Sequence, residues 1–319
     1  MRERPIAAID IGSNSIHLTV ARVVDGRIET MLVLKDAARL AAQLDRERTL
    51  ADDAIDRAVA TLGRFRDLAS IHGAELRATA TATVRAARNR DVFLERAARV
   101  AGVQVEVISG NTEARLTYLG VRHGLPRLEG RAVLTVDVGG GSTDLARGTR
   151  AMPDITASAA VGSLAIAHRY LEDPVTRPKV KKARQAIEEA LAAPVKAIRA
   201  GGFTDAVATS GSIQRLARLL EPDARSLHGR QVTVQQLDEI TRGLALARTG
   251  TERRRLPGMD PERADSLLGG ALVFQVLGRL LGIEAWTVSV TALRTGVVMD
   301  TWRRRHTSGP PGNPGLPTF

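Results

Sequence analysis

Two short stretches hold the residues best suited to chemistry. The first reads Ile9-Asp10-Ile11-Gly12-Ser13-Asn14-Ser15, the second Val136-Asp137-Val138-Gly139-Gly140-Gly141-Ser142. Asp10 matches Asp137, Gly12 matches Gly139 and Ser15 matches Ser142, each 127 positions apart. Both follow an apolar run and lead into a β-rich segment, Ile16–Val24 and Thr143–Arg147. Small residues let backbone N–H groups close around phosphate oxygens. An acid at a strand end can hold a divalent cation, directly or through water. One Asp-x-Gly is usually only a turn. Two at corresponding places point to an internal duplication, with two hairpins gripping a phosphate chain from opposite sides.

The elements that must position them follow from periodicity. Strands are expected at Ile6–Ile11, Ile16–Val24 and Arg27–Leu34, with Asp25-Gly26 as a hairpin turn. Further strands are expected at Leu76–Thr81, Val103–Ile108, Ala132–Val138, Thr143–Arg147, Ala206–Ala208 and Thr287–Val290. Helical spacing covers Asp52–His72, Asp91–Ala101, Thr112–Val121, Gly162–Leu171, Val180–Arg199, a segment ending at Leu220, and Val234–Ala247. Asp260-Pro261-Glu262 has the form of a helix start, with the helix running to about Leu281. A last helix is expected over Ala292–Trp302. Pro126–Gly130 is turn-like and divides the chain into domains 1–125 and 126–305, with 306–319 a disordered tail rich in Pro and Gly.

Composition narrows the field. The chain has 319 residues and 44% hydrophobic content, enough for a packed core and two domains. There is no cysteine, which excludes disulfides, Cys-ligated metals and a Cys nucleophile. No segment has the length of a signal-peptide core or a bilayer span, so a soluble cytoplasmic protein is expected. Only five lysines stand among 46 basic residues, so the net charge of +11 reflects arginine bias as much as a polyanion-binding surface. Aromatics are 3%, too few for base-stacking platforms, and no nucleic-acid module is visible. The basic clusters Arg253-Arg254-Arg255, Lys179/Lys181/Lys182/Arg184 and Arg303-Arg304-Arg305 read first as solvated faces. His17, with no partner at metal spacing, reads as packing.

Taken together, three stretches resemble the Ppx/GppA phosphatase family, the exopolyphosphatases and guanosine pentaphosphate phosphohydrolases. They are Ala8–Leu18, Ile108-Ser109-Gly110-Asn111-Thr112-Glu113-Ala114-Arg115-Leu116, and Asp137-Val138-Gly139-Gly140-Gly141-Ser142-Thr143-Asp144. Weaker matches are Thr81–Arg85, Thr209-Ser210-Gly211-Ser212, Leu256-Pro257-Gly258 with Arg263-Ala264-Asp265, and Ala292–Gly296. The resemblance reaches to about residue 302 and implies a short, two-domain form.

It implies an α/β fold: two duplicated ribonuclease H-like domains of the actin/Hsp70/sugar-kinase fold with a cleft between them. It implies Glu113 as the general base that activates water, with the chemistry of a carboxylate beside a phosphate site in agreement. It implies Asp10, Asp137 and Asp144 as ligands of Mg²⁺ or Mn²⁺. Gly12, Ser13, Asn14 and Ser15 would form one phosphate loop, and Gly139, Gly140, Gly141 and Ser142 the other, with Arg85 a phosphate ligand. Asp144 stands where the family usually has Glu, and Ser289-Val290-Thr291 lacks a frequent acid. Thr209–Ser212 reads as a capping turn, although in the wider fold that place faces a nucleotide.

The expected function is hydrolysis of the terminal phosphoanhydride of inorganic polyphosphate. The alternatives are the 5′-phosphate of guanosine pentaphosphate (pppGpp) and a weakly catalytic polyphosphate- or alarmone-binding regulator. A kinase of the same fold is disfavoured by the Ile-Ser-Gly-x-x-Glu-Ala-Arg segment. The expected partners are polyphosphate or a guanosine alarmone, not nucleic acid or membrane, with a homodimer left open.

Overall fold

A computed structural model describes residues 3–40 and 48–307. The chain builds two sheets from the same plan. The first half contributes β1 (Ile6–Ile11), β2 (Ile16–Val24), β3 (Arg27–Asp36), α1 (Asp52–Ile71), β4 (Glu75–Ala80), α2 (Ala82–Ala86), α3 (Arg90–Ala101), β5 (Val105–Val107) and α4 (Gly110–Gly124). The second contributes β6 (Val133–Val138), β7 (Thr143–Gly148), β8 (Ile155–Ala159), α5 (Ser163–Tyr170), α6 (Arg177–Gly201), β9 (Asp205–Thr209), α7 (Gly211–Leu220) and β10 (Gln231–Thr233). It ends with α8 (Val234–Leu246), α9 (Gly250–Arg254), α10 (Leu267–Leu281), β11 (Ala285–Val288) and α11 (Leu293–Thr307).

The strand orders are β3-β2-β1-β4-β5 and β8-β7-β6-β9-β11-β10. In each, an antiparallel three-strand meander is extended by two parallel strands, and the second sheet adds β10 at its edge. The duplication read from the two glycine stretches is therefore a duplication of topology. The β2–β3 turn is left-handed at both central residues, Asp25 (φ 49°) and Gly26 (φ 73°), matching the twist of the strands it joins.

Each sheet has an aliphatic core, one around Ile9, Leu18, Ile55 and Phe93, the other around Val136, Ile187, Leu272 and Trp286. The sheets lie on either side of the expected 125/126 boundary, but the helices do not keep to it. Helix α4 packs Ala114, Tyr118 and Val121 against Val133, Ala146 and Val207 of the second sheet. Helix α11 returns to the first sheet, where Leu293, Val297 and Val298 join Ile6, Ala8 and Leu116. The two helices meet backbone to backbone. A Cβ on Gly120 would lie 2.1 Å from the Ala292 carbonyl oxygen, so no larger residue fits there.

Three expectations need correction. Helix α10 begins at Leu267 and not at Pro261. Asp260 does accept the Glu262 N–H, as a cap should, at 3.1 Å. Its other carboxylate oxygen pairs with Arg215 at 2.8 Å, and residues 260–266 turn through Arg263 N–H to Asp260 O and Ser266 N–H to Arg263 O bonds. The last helix continues past Trp302 to Thr307, because Arg304 pairs with Asp300 and Arg305 with Glu75. The expected tail, 306–319, is helical at 306 and 307, and from 308 onward it lies outside the described residues. Nor is Arg253 part of a solvated face: it is buried, donating to the Ala264 and Ala247 carbonyls and to Asp173. Strands β8 and β10 were not expected: Ile-Thr-Ala-Ser-Ala alternates, but with mostly small side chains, and β10 is a three-residue edge.

Candidate active site

The two glycine loops face each other across a cavity of about 540 Å³. They close in the same way. Gly12 N–H donates to Ser15 O at 3.1 Å, and Gly139 N–H donates to Ser142 O at 2.9 Å. Gly140 lies so close to the first loop that a Cβ there would be 2.8 Å from Ser13 Cβ. Thr83 Oγ1 and Ser13 Oγ are 2.8 Å apart, tying α2 to the first loop. The carbonyls of Gly139 and Gly140 accept the first N–H groups of α5, from Ser163, Leu164 and Ala165. Gly12, Ser13, Asn14, Ser15, Gly139, Gly140, Gly141 and Ser142 all line the cavity, as expected.

Glu113 lines it too, from the first turn of α4. Ser109 caps that helix, its Oγ accepting the Thr112 N–H at 3.1 Å. Burial pushes the Glu113 carboxyl well above the usual range, and the nearby Asp144 charge adds to this. Arg85 opposes the shift: its Nη1 donates to Glu113 Oε2 at 3.0 Å and to the Ile108 carbonyl at 2.8 Å. Arg85, expected as a phosphate ligand, is not among the lining residues and lies against the Glu113 carboxylate instead.

Asp10 and Asp137 end equivalent strands and line the cavity. Burial raises both. Asp137 reaches about 7, helped by the charges of Asp144 and Asp10, whereas Arg294 holds Asp10 down. Asp144 does not line the cavity. It is buried behind it, with Ser158 donating to Oδ1 at 2.5 Å and Ser142 to Oδ2 at 2.8 Å. Gly110 makes room for this, since a Cβ there would sit 2.2 Å from Ser158 Oγ.

Among the described residues, no three acidic or imidazole side chains converge to enclose a metal ion. Mg²⁺ needs no such cage, because it keeps several waters and takes one or two carboxylates plus substrate oxygens. Asp10 and Asp137 fit that role. They are acids whose ionised forms are disfavoured by burial, and in Asp137 by neighbouring acids, which a cation would relieve.

The cavity lining also carries four cations, Lys35, Arg215, Arg263 and Arg294. His17 stands among them and lines the cavity rather than simply packing. Its register partner is Asp10, as Asp144 is that of Asp137. Burial and the charges of Arg294, Lys35 and Arg263 lower His17 to about 3, so it is neutral. Thr209–Ser212 both caps and lines: Ser210 Oγ accepts the Ser212 N–H at 3.2 Å. Ser289 Oγ is within 2.8 Å of the Thr291 carbonyl, closing the turn where an acid was expected. The four cations were missed as site residues. Only the Arg263 and Arg294 segments had been marked, because among 41 arginines spacing does not tell a lining residue from a surface one.

Two glycine loops and a helix-borne carboxylate in a cleft between duplicated sheets define a phosphate-handling protein of the actin/sugar-kinase-like fold. The model of the Ppx/GppA phosphatase family matches residues 19–305. The chain belongs to that family, and is a hydrolase of phosphatase type. A crystal structure of the Aquifex aeolicus family member is 28% identical, with a TM-score of 0.82 over 95% of this chain and 98% of that one. An exopolyphosphatase from Cytophaga hutchinsonii is 27% identical, with a TM-score of 0.84 over 93% and 98%. An exopolyphosphatase-like protein is also 27% identical, with a TM-score of 0.87 over 95% and 99%. Among the described residues no helix is long and apolar enough to cross a membrane.

Proposed function

We propose that the protein is an exopolyphosphatase, hydrolysing the terminal phosphoanhydride of inorganic polyphosphate with Mg²⁺ as cofactor. The observation that carries this is Glu113, a buried base aimed into a cavity whose other walls are two phosphate-type loops and four cations. Among the described residues no Phe, Tyr or Trp lines the cavity, so a guanine base would find no stacking partner there, which favours polyphosphate over pppGpp.

The terminal phosphoryl lies between the loops, its oxygens facing backbone N–H groups. Mg²⁺, when bound at Asp10 and Asp137, supplies charge neutralisation on the phosphate oxygens. Glu113 orients a water in line with the scissile bond and takes its proton as the oxygen attacks phosphorus. The P–O bond to the next phosphate breaks, releasing orthophosphate and a chain shorter by one unit. Arg85 holds the Glu113 carboxylate in place. The four cations of the lining receive the rest of the chain.

The test is phosphate release from long-chain polyphosphate and from pppGpp, with Mg²⁺, by the wild type and Glu113→Gln. The expected result is faster release from polyphosphate, lowered at least about a hundredfold in the variant with binding retained. Binding of either ligand without turnover would overturn the enzyme reading.

A further inference from the structure

Arg294 is a half-buried cation with no counter-ion in contact among the described residues. It stands in the first turn of α11 and lines the cavity. Burial lowers its pKa, and among the described residues its guanidinium has no hydrogen-bond or ion-pair partner within reach. The charge it feels most is that of Asp10, which does not come close enough to form an ion pair. Other interior arginines are engaged: Arg85 with Glu113, Arg77 and Arg115 with Asp300, Arg253 with Asp173. Arg263, on the same cavity, likewise has no side-chain partner among the described residues, but two carboxylates, Asp260 and Glu262, act on its charge. A buried charge left unpaired is unfavourable, so a site that keeps one has a ligand that completes it.

The position of Arg294 is fixed by backbone. A Cβ on Gly296 would lie 1.8 Å from the Leu116 carbonyl oxygen, and one on Gly120 would lie 2.1 Å from that of Ala292. The first turn of α11 is thus locked onto the helix that carries Glu113. The base and the cation approach the cavity on two helices that cannot move apart without breaking this crossing. Arg294 also acts on both members of the Asp10–His17 register pair, raising neither, which places it beside the strand that leads into the Gly12–Ser15 loop.

We propose that Arg294 is a phosphate-binding residue, completing its charge with the oxygens of the phosphates held at the Gly12–Ser15 loop. This rests on the reading of the site as one for phosphate chains. The guanidinium fork suits such oxygens, and Lys would supply the charge without the fork. The α4–α11 crossing makes the distance from Arg294 to the attacking water a fixed property of the fold.

The experiment compares wild type, Arg294→Met and Arg294→Lys by thermal melts with and without tripolyphosphate, and by steady-state turnover of polyphosphate. Without ligand, Arg294→Met is expected to melt no lower than wild type, since it removes a half-buried charge that has no ion-pair partner. Its upward melting shift on adding tripolyphosphate is expected to be largely lost, and KM for polyphosphate to rise roughly tenfold to a hundredfold. Arg294→Lys should recover part of both. An Arg294→Met protein that melts lower yet keeps the full tripolyphosphate shift would show a structural role and overturn the proposal alone. A folded wild type that neither shifts with tripolyphosphate nor turns over polyphosphate would overturn the functional reading, and this proposal with it.

Discussion

Arg85 Nη1 lies 3.0 Å from Glu113 Oε2, and the same nitrogen also donates to the carbonyl of Ile108, two residues before the helix that carries Glu113. One guanidinium thus holds both the carboxylate and the chain leading to it. Of the influences on Glu113, burial and Asp144 raise its pKa and Arg85 lowers it. Removing the arginine removes the lowering influence. In Arg85→Met the base stays protonated to higher pH, so the acid limb of the kcat/KM profile is expected to move upward. Arg85→Lys should lie between the two. A profile that stays in place while KM rises would instead make Arg85 a direct phosphate ligand.

Asp137 links the site to stability. Its carboxyl is raised from about 3.8 to about 7 by burial and by Asp144 and Asp10. A raised carboxyl favours the folded state while it is protonated in both states. That contribution is complete below about pH 4 and is lost as pH rises through about 7. The full loss is up to about 4 kcal/mol, reduced where cavity water screens the charge. Asp137→Asn is therefore expected to gain on the wild type as pH rises from 4 to 8, in melts without metal or phosphate. Equal pH dependence of the two proteins would show that the carboxyl titrates normally.

Much of this was legible beforehand because it rests on local pattern. The duplication was visible in Asp10/Asp137 and Gly12/Gly139, since a loop that closes on its own backbone needs the same small residues each time. Glu113 was legible from the segment around it. Other features depend on contacts across the chain. Asp144 is sealed behind the cavity by Ser158, fourteen residues on, which its spacing from Ser142 does not reveal. Arg294 and Arg263 stand apart from most other arginines only by lining the cavity without a side-chain partner among the described residues. The turn at 260–266 carries the signature of a helix start, and tertiary pairing of Asp260 with Arg215 overrides it.

Gly296 provides a test of the α4–α11 crossing. With a Cβ placed 1.8 Å from a backbone oxygen, Gly296→Ala must push the helices apart, because backbone cannot swing aside as a side chain can. The expected loss is about 3 kcal/mol, the upper range for overpacking. Turnover should fall further than stability explains, since Glu113 and Arg294 ride on the two helices. Gly243→Ala in α8 is the control: nothing lies within 4 Å of its Cβ. It should gain about 0.5–1 kcal/mol. Chemical denaturation of both reads the contrast, and equal effects would show that the crossing is not close-packed.

Ser210 holds a backbone conformation, φ 105° and ψ 164°, that only glycine adopts without strain. Its hydroxyl also caps α7 and lines the cavity. Two effects therefore oppose each other on substitution. Ser210→Gly relieves strain of about 1–3 kcal/mol. It loses a cap, which glycine replaces at a penalty of only a few tenths of a kcal/mol. The net expectation is a gain of about 1 kcal/mol in denaturant melts. Ser210→Ala keeps the strain and loses the cap, so it should lose about 1 kcal/mol. If both variants are destabilised alike, the serine is not strained. If glycine stabilises the fold while polyphosphate turnover drops, the strain serves the cavity, holding the Ser210 side chain and the start of α7 in its lining.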